Sequence, residues 1–545
     1  MDRLSYWIMF LAFSSHLAYG QNFTLADTLR GSITPERSWW DLEYYNLDVE
    51  VDIDQRFIKG SNVIHYEVLE SHNVLQIDLQ DPLLITKVEQ DGQELKFDRV
   101  ANAHFIQLTK RQEKGSRQEI KVYYEGHPHE ALNAPWDGGV SWSTDAKRKP
   151  FVASSCQGIG ASIWWPCKDH MYDEADSILV AVTVPQGLMH VGNGRLRSQT
   201  NTPDGKTRTE WFVGNPINNY AINLNIANYD HFGEVFQGVN GELTLDYYVL
   251  KENLEKAKKQ FAQVPDMLKA FEDWFGPYPF YEDGFKLVEV PYLGMEHQSA
   301  VTYGNGYQNG YRGTDLSNTG WGLKFDFIII HETGHEWFAN SITYKDQADM
   351  WIHESFTAYS ECLYLESLYG KEAGADYVIG TRFRISNDVP IIPSQRGVNA
   401  RGSGDMYYKG SNMLHTIRQV VDNDILWKNT LRDLNKRFFH QTVNSDQIIN
   451  AMVMRMGKNL TSVFKQYLQT TQIPILETIT SKSGLRFRWT NAVEGFAMPV
   501  KIIIDNKPTW INPTGNWRFI ELDNPPKHIS VDRNFYVGFM NHSGE

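Results

Sequence analysis

Alternating apolar and polar residues dominate the chain from about residue 38 to about residue 235. Clear period-two runs occupy residues 45–53, 62–68 and 119–124, and turn-forming residues separate them. Successive side chains of a strand point to opposite faces, so this alternation is typical of strands with one buried face. The succession of short runs predicts an all-β N-terminal domain.

A helical pattern replaces the alternation near residue 250. Apolar residues recur at helical spacing over residues 252–274, and the breaker pair Gly276-Pro277 ends the pattern. A strand is predicted at residues 286–290, and further helices are predicted around His331 and at residues 351–369, 408–422 and 446–470. Strand patterns return beyond Pro474, at residues 501–505 and 517–522. The chain is therefore predicted to contain a mixed α/β domain followed by a small β-sandwich.

The composition is that of a globular protein with large cores, because 41% of the residues are hydrophobic and 13% are aromatic. A length of 545 residues predicts about two to four domains. The net charge is −14, and no block of lysine and arginine residues occurs. This charge distribution argues against a nucleic-acid partner.

The first twenty residues have the organisation of a signal peptide. Arg3 precedes an apolar stretch at residues 4–13, and Ala18-Tyr19-Gly20 forms a small-x-small cleavage site. The apolar stretch is too short to cross a bilayer comfortably. We therefore expect removal of residues 1–20 and export of the mature chain, either to a periplasm or by secretion. Since no other stretch of eighteen apolar residues occurs, no membrane span is expected after this cleavage.

Three cysteines occur, Cys156, Cys167 and Cys362. An exported chain of this length with so few cysteines does not depend on disulfides. Cys156 and Cys167 lie in one short region and are close enough in sequence to pair, but free thiols are favoured.

The chemistry is carried by a His-Glu-x-x-His motif, formed by His331, Glu332 and His335 and followed by Glu354. On a helix, positions i and i+4 project from the same face, so both imidazoles can reach one metal ion. Glu354 completes a set of two histidines and one glutamate, and the fourth position stays open, as in catalytic zinc sites. The surrounding residues are apolar, and polar groups in a buried helix are costly unless they are paired or bind a metal.

The spacing and several distant motifs resemble those of the gluzincin zinc aminopeptidases, the group typified by aminopeptidase N and leukotriene-A hydrolase. The resemblance extends over nearly the whole chain after the predicted signal peptide. The matching segments are residues 165–169, 219–223, 293–297, 331–340, 351–356 and a Tyr-x-Lys-Gly motif at 407–410.

The resemblance implies one zinc ion per chain, held by His331, His335 and Glu354, and hydrolysis of the N-terminal residue of peptides. Glu332 is then expected to act as the general base that takes a proton from a zinc-bound water. Tyr407 is expected to donate a hydrogen bond to the oxyanion that forms at the peptide carbonyl.

The resemblance also implies the substrate contacts. Glu296 corresponds to the glutamate that binds the free α-ammonium of the substrate, a charge-assisted contact that favours chain ends. Gln157 corresponds to a glutamine that lines the first substrate pocket. Gly294 and Met295 belong to the backbone segment along which the peptide lies as an extra strand.

Two residues of this segment depart from the family pattern. Leu293 stands where the family usually has glycine, and His297 stands where it has asparagine. We expect Leu293 to narrow the groove, and we expect His297 to hydrogen-bond differently from asparagine.

The fold class implied by the resemblance is a multidomain α+β protein. It consists of a β-saddle N-terminal domain at residues 21–237, a thermolysin-like α/β catalytic domain at residues 238–473 and a small C-terminal β-sandwich at residues 474–545. The expected partners are peptides with a free N-terminus. The sequence leaves the oligomeric state open, and a monomer is favoured.

Other readings of the motifs stay open. A thermolysin-like zinc endopeptidase would share the zinc residues and use Glu296 only structurally. An added epoxide hydrolase activity would rest on fold analogy alone. An inactive adhesion or receptor module is disfavoured, because the metal ligands, the base and the tyrosine are all present. Glu361 lies on the helical face of Glu354, where it is either an acceptor for a zinc histidine or a surface acid.

Overall fold

The computed structural model describes residues 23–543. The predicted signal peptide at residues 1–20 lies outside this part of the chain. Two short helices, Leu25–Gly31 and Pro35–Ser38, precede the first strand. The sequence analysis did not predict them, because neither is long enough to show a helical repeat of apolar residues.

An eight-stranded sheet forms the frame of the N-terminal domain. The strand Trp40–Asp52 alternates between buried and exposed positions, as its sequence pattern predicts. It pairs antiparallel with Phe57–Val68 and parallel with Ser177–Pro185. In spatial order the strands are Arg195–Asn201, Lys206–Val213, Ser177–Pro185, Trp40–Asp52, Phe57–Val68, Arg117–Gly126, Leu84–Gln90 and Gln93–Glu94.

Two smaller sheets complete the N-terminal domain, and together the three sheets enclose one apolar core. The strands of the first smaller sheet are His72–Asp78, Ala103–Gln112 and Lys96–Val100. Those of the second are Met189–His190, Asn225–Ala227, Pro150–Ser155 and Gly139–Thr144. The last strand before Gln157 is Pro150–Ser155, so this sheet carries Gln157 to the domain surface that faces the motif helices.

A five-stranded sheet begins the catalytic region. Its strands, in spatial order, are Tyr229–Gly238, Gly241–Leu250, Phe285–Glu289, Val301–Tyr303 and Gly294–Met295. The first two strands form a hairpin, and the predicted boundary between residues 237 and 238 falls inside its first strand. The short strand Gly294–Met295 is at the edge of the sheet, so its outer side is free of a neighbouring strand.

Helices cover this sheet and carry the His-Glu-x-x-His motif. The first motif helix is Phe327–Gly334 and the second motif helix is Trp351–Tyr369. The other α-helices of the catalytic region are Leu254–Phe261, Val264–Phe275, Lys371–Gly380, Tyr408–Val421, Asp424–Arg437, Ser445–Met456 and Thr461–Gln469. Ile342–Tyr344 and Gln441–Val443 form a small parallel sheet beside them.

Two predicted helices are each divided in the structure. The segment 252–274 is broken before Val264–Phe275, whose second residue is a proline. Proline has no backbone N–H to donate, and it therefore starts a helix more easily than it continues one. The segment 446–470 is broken at Gly457, which adopts a left-handed conformation with φ of 64°. Such a conformation ends a helix and suits glycine.

The C-terminal region contains two sheets. One consists of Arg518–Glu521, Gly484–Thr490, Ile475–Ser481 and Gly538–Ser543, and the other of Lys507–Ile511, Val500–Ile504 and Ile529–Val531. Their buried residues join the core of the catalytic helices. The predicted multidomain α+β fold is confirmed, with a β-rich N-terminal domain, a helical catalytic domain and a C-terminal β domain.

All three cysteines are buried and unpaired, as expected for a chain that does not depend on disulfides. Across residues 23–543, no helix combines the length and the apolar character that a membrane crossing requires.

Candidate active site

The predicted metal ligands meet at one buried point between the two motif helices. The Nε2 atoms of His331 and His335 lie 3.7 Å and 3.4 Å from the Glu354 Oε2 atom. For comparison, ligand atoms about 2.0–2.1 Å from one tetrahedral zinc ion are about 3.3 Å apart. The three side chains are therefore spaced as ligands of a single ion.

The Glu354 carboxylate provides an independent test of the fit. Its Oε2 atom is buried and has no hydrogen-bond partner among the described residues. A buried carboxylate oxygen without a partner is costly, and a cation between it and the two imidazoles removes this cost. Burial alone would raise the pKa of Glu354, but the neighbouring His335 and His331 hold it below its usual range. Two histidines and one carboxylate are a donor set that zinc prefers.

Each histidine is oriented by its other ring nitrogen. The His331 Nδ1 atom is 2.7 Å from the Glu361 Oε1 atom, and the Tyr377 hydroxyl donates to the second oxygen of Glu361 at 2.6 Å. The His335 Nδ1 atom is 3.1 Å from the Phe338 carbonyl oxygen. An N–H at Nδ1 leaves Nε2 unprotonated and directed at the metal position.

The first motif helix begins and packs in ways that fix these side chains. Asp326 caps it, and its carboxylate accepts hydrogen bonds from the backbone N–H groups of Ile328 and Ile329. Gly334 allows a close approach of the second motif helix, because a Cβ atom there would lie 2.5 Å from the Ser360 hydroxyl.

Glu296 lies beside the metal ligands in a second polar cluster. Its Oε1 atom accepts hydrogen bonds from the Gln157 amide at 2.6 Å and from the Tyr220 hydroxyl at 3.2 Å. Asn340 donates to the Glu296 backbone carbonyl at 3.0 Å. Gln157 and Tyr220, the two donors to the Glu296 carboxylate, come from the N-terminal domain, so the two domains build this cluster together. Burial raises the pKa of Glu296.

Glu332 is also within this group. Ligand atoms of Glu296, Glu332 and His335 lie within 4.8 Å of one another. Burial raises the pKa of Glu332 to about 7, although the adjacent His331 and His335 oppose the rise. A carboxyl group with a pKa near neutrality can both accept and return a proton.

The edge strand Gly294–Met295 runs along the cleft beside Glu296. It pairs with Thr302 and Tyr303 on its inner side only. Leu293 is one of the residues that line the cleft, and its expected narrowing of the groove stays a prediction. His297 is instead fully buried, and its Nδ1 atom is 3.3 Å from the Thr302 hydroxyl.

The cleft has a volume of about 470 Å³ and is bounded on one side by Tyr407. Tyr407 follows the short helical turn Gly404–Met406, and its ring centroid is 6.1 Å from that of His331. Burial raises the pKa of the Tyr407 hydroxyl well above its usual range, so the hydroxyl stays protonated. The lining includes all nine predicted site residues, Gln157, Gly294, Met295, Glu296, His331, Glu332, His335, Glu354 and Tyr407.

Sequence reasoning missed three residues of the site. The Tyr377 hydroxyl supports Glu361, and nothing in the local sequence indicates this contact. Tyr220 was recognised as part of the segment 219–223 without a role, and it contacts Glu296. Thr357 is one turn after Glu354, and its hydroxyl is 3.0 Å from the His335 Nδ1 atom. Of the two alternatives for Glu361, the metal-histidine acceptor is confirmed, and the surface acid is wrong.

Comparison with known families gives two matches. Residues 42–220 match the peptidase M1 N-terminal domain, and residues 260–467 match the peptidase family M1 domain. The second match contains both motif helices and the segment around Tyr407.

Curated relatives are distant in sequence. Leukotriene A-4 hydrolase of Xenopus laevis is 24% identical over 442 residues, which cover 76% of this chain and 68% of the relative. Probable aminopeptidase 1 of Sulfurisphaera tokodaii is 20% identical over 427 residues, which cover 74% of this chain. The matched region spans only half of the length of the Sulfurisphaera protein.

Among solved structures, an M1 zinc metallopeptidase from Deinococcus radiodurans has a similar fold. A mutant of it bound to a Tyr-Ser-Ala substrate superposes with a TM-score of 0.68 at 19% identity, covering 82% of this chain and 98% of the other. The same metallopeptidase without this substrate gives a TM-score of 0.67 at 19% identity, covering 81% of this chain and 95% of the other. These likenesses establish a common fold.

Proposed function

Because the chain belongs to peptidase family M1, we propose that it is a zinc-dependent aminopeptidase in which His331, His335 and Glu354 hold the one zinc ion. The single observation that supports cleavage at a free N-terminus is the position of Glu296. Its carboxylate is buried beside the metal ligands and is held by Gln157 and Tyr220. A carboxylate in a dry cleft favours a ligand that brings a positive charge, and the α-ammonium of a peptide is such a charge.

The zinc ion, when bound, polarises the scissile carbonyl and lowers the pKa of water. Glu332 then removes a proton from the attacking water and later passes it to the leaving amine. Burial raises the pKa of Glu332, and a carboxyl group with a raised pKa can take up and release a proton near neutral pH. The Tyr407 hydroxyl donates a hydrogen bond to the oxyanion, and losing one such donor typically costs about 2.7–4 kcal/mol.

The role of Glu332 is tested by Glu332→Gln. The amide cannot accept the proton, so we expect turnover of leucine amide to fall by roughly 10²–10⁴-fold. Bound zinc, measured by atomic absorption, should stay at one ion per chain, because Glu332 is not a ligand. A matched exchange of an exposed acid, Glu255→Gln, should leave both values unchanged. Turnover that survives Glu332→Gln would overturn the mechanism.

The endopeptidase alternative makes an opposite prediction about the substrate N-terminus. In the proposed enzyme, acetylation removes the ammonium that Glu296 binds, and cleavage should stop. An endopeptidase would cut the acetylated and the free peptide equally well. Comparing the two peptides by chromatography of the products therefore separates the two activities.

We propose further that the mature enzyme is exported, either to a periplasm or outside the cell, and acts as a monomer. Support for export comes from the order of basic, apolar and small residues in the segment 1–20. N-terminal sequencing of the exported protein should begin at Gln21. Light scattering should give the mass of one chain.

A further inference from the structure

Two arginines line the same cleft as the metal ligands and have no role in the proposed reaction. Arg384 is partly buried and Arg401 is exposed, and both face the cleft. They belong to the segment between the helix Lys371–Gly380 and Tyr407. Arg401 lies six residues before Tyr407 on this segment, and Arg384 and Tyr408 line the same cleft. The basic groups are therefore on the tyrosine side of the cleft.

Neither arginine is paired with an acidic side chain in the part of the chain that the structure describes. Within residues 23–543, no carboxylate lies within 4.0 Å of either guanidinium. Arg384 donates only its Nε–H, to the Leu316 carbonyl oxygen at 2.8 Å, which leaves its two terminal nitrogens available. Arg396, from the same segment, is by contrast paired with both oxygens of Asp349 at 2.7 Å.

The other part of the cleft has the opposite charge. Glu296 lies there with Gln157 and Tyr220, both from the N-terminal domain. The cleft thus has an acidic part for an ammonium and a basic part that has no anion. Guanidinium groups bind carboxylates in a planar, two-pronged geometry, and this pairing is stronger in a cleft than in open water.

From this charge arrangement we infer that Arg384 and Arg401 bind a carboxylate on the leaving side of the peptide. The preferred substrates are then short peptides with an ammonium before the cleaved bond and a carboxylate soon after it. The cleft volume of about 470 Å³ agrees with a small ligand. The inference rests on the proposed aminopeptidase function and names the substrate class of that site.

The carboxylate has two sources, the peptide C-terminus and an acidic side chain. The first is tested with Leu-Ala and Leu-Ala amide, and the second with Leu-Asp amide and Leu-Asn amide. In each pair only the carboxylate differs. We expect the carboxylate to lower KM about tenfold in at least one pair, which corresponds to about 1.4 kcal/mol of binding free energy. The pair that shows the effect identifies the source.

The double variant Arg384→Gln with Arg401→Gln should lose this preference. The control is Arg486→Gln, an exposed arginine of the C-terminal β domain, which should keep it. Melting temperatures establish that each variant is folded. If the double variant does not fold, the KM values of the unaltered enzyme for the four substrates still test the inference.

The outcomes separate the two proposals. Equal KM values within both pairs, or a preference that persists in the double variant, would overturn the role of the arginines while leaving an active aminopeptidase. Failure to hydrolyse any of the four free-amine substrates in the presence of zinc would instead refute the aminopeptidase function, and the inference would fall with it.

Discussion

Gln157 donates a 2.6 Å hydrogen bond to the carboxylate of Glu296, although the two residues are 139 positions apart in the chain. The same amide nitrogen is 3.2 Å from Glu354 Oε1. The carboxylates of Glu296 and Glu354, which share this amide nitrogen as a neighbour, repel each other, and the N–H groups of Gln157 reduce the repulsion. A side chain from the β-rich domain thus joins the proposed ammonium site to a proposed metal ligand.

Replacing Gln157 should therefore weaken substrate binding more than turnover. In Gln157→Ala, the Glu296 carboxylate loses a positioning donor, and we expect KM for leucine amide to rise about tenfold with a smaller change in kcat. Steady-state kinetics provides the measurement. Gln199→Ala, on an exposed strand, is the matched control. An unchanged KM in Gln157→Ala would show that Glu296 is held by other contacts.

Glu361 should increase the affinity of the proposed metal site for zinc. In Glu361→Gln, the bond to the His331 Nδ1–H is weakened and the Tyr377 hydroxyl loses a charged acceptor. Loss of such a support typically lowers metal affinity by about 10–100-fold. Competition with a chromogenic chelator measures the change, and the exposed Glu372→Gln is the control. Wild-type affinity in Glu361→Gln would mean that packing alone orients His331.

Gly410 should be required for packing between the second motif helix and the helix Tyr408–Val421. A Cβ atom at Gly410 would lie 2.6 Å from the Ser355 Cβ atom. Overpacking of this kind costs about 1–3 kcal/mol, so Gly410→Ala should lower the melting temperature. Adding Ser355→Gly removes the clash and should restore part of the loss. Equal melting temperatures for the wild type and Gly410→Ala would contradict the close approach.

Buried histidines should make the fold sensitive to acid. Burial lowers the pKa of His190 to about 4 and that of His415 to about 3, from an ordinary value of 6.5. Between these values and pH 6.5 the unfolded chain binds more protons than the folded chain. The free energy of unfolding should therefore decrease as the pH is lowered, by about 1.4 kcal/mol per pH unit for each group.

Urea unfolding between pH 6.5 and 4.5 measures this slope. His415→Gln keeps a polar side chain near Asn534, whose Oδ1 atom is 2.9 Å from the His415 Nε2 atom, but cannot bind a proton in this range. The slope should decrease by the contribution of one group. A slope identical to that of the wild type would show that His415 titrates normally in the folded protein.

Motif spacing and local periodicity were sufficient to predict the candidate metal ligands and most of the secondary structure. The second motif helix is Trp351–Tyr369, which has the same bounds as predicted. The proximity of His331 and His335 also follows from sequence, because the i,i+4 spacing is a property of one helix. The division of the segment 252–274 was missed, because the apolar repeat continues through the break.

Contacts between distant segments depended on the tertiary structure. The sequence left two interpretations of Glu361 equally favoured, an acceptor for a metal-binding histidine or a surface acid. Only the packing of the two motif helices placed it against His331. Tyr377 supports Glu361 from the next helix, and no pattern in the chain pairs these two residues. Such contacts depend on how domains and helices dock, which a local repeat does not encode.

The sequence by itself identified the candidate metal ligands, the candidate general base and the order of the β, α/β and β regions, because helix and strand periodicities and motifs of fixed spacing can be recognised along the chain. Tertiary structure alone decided that Gln157 and Tyr220 complete the Glu296 cluster and that Arg384 and Arg401 face the same cleft without an anion. The physical reason is that charge complementarity in a cleft depends on side chains from separate segments, and folding brings those segments together.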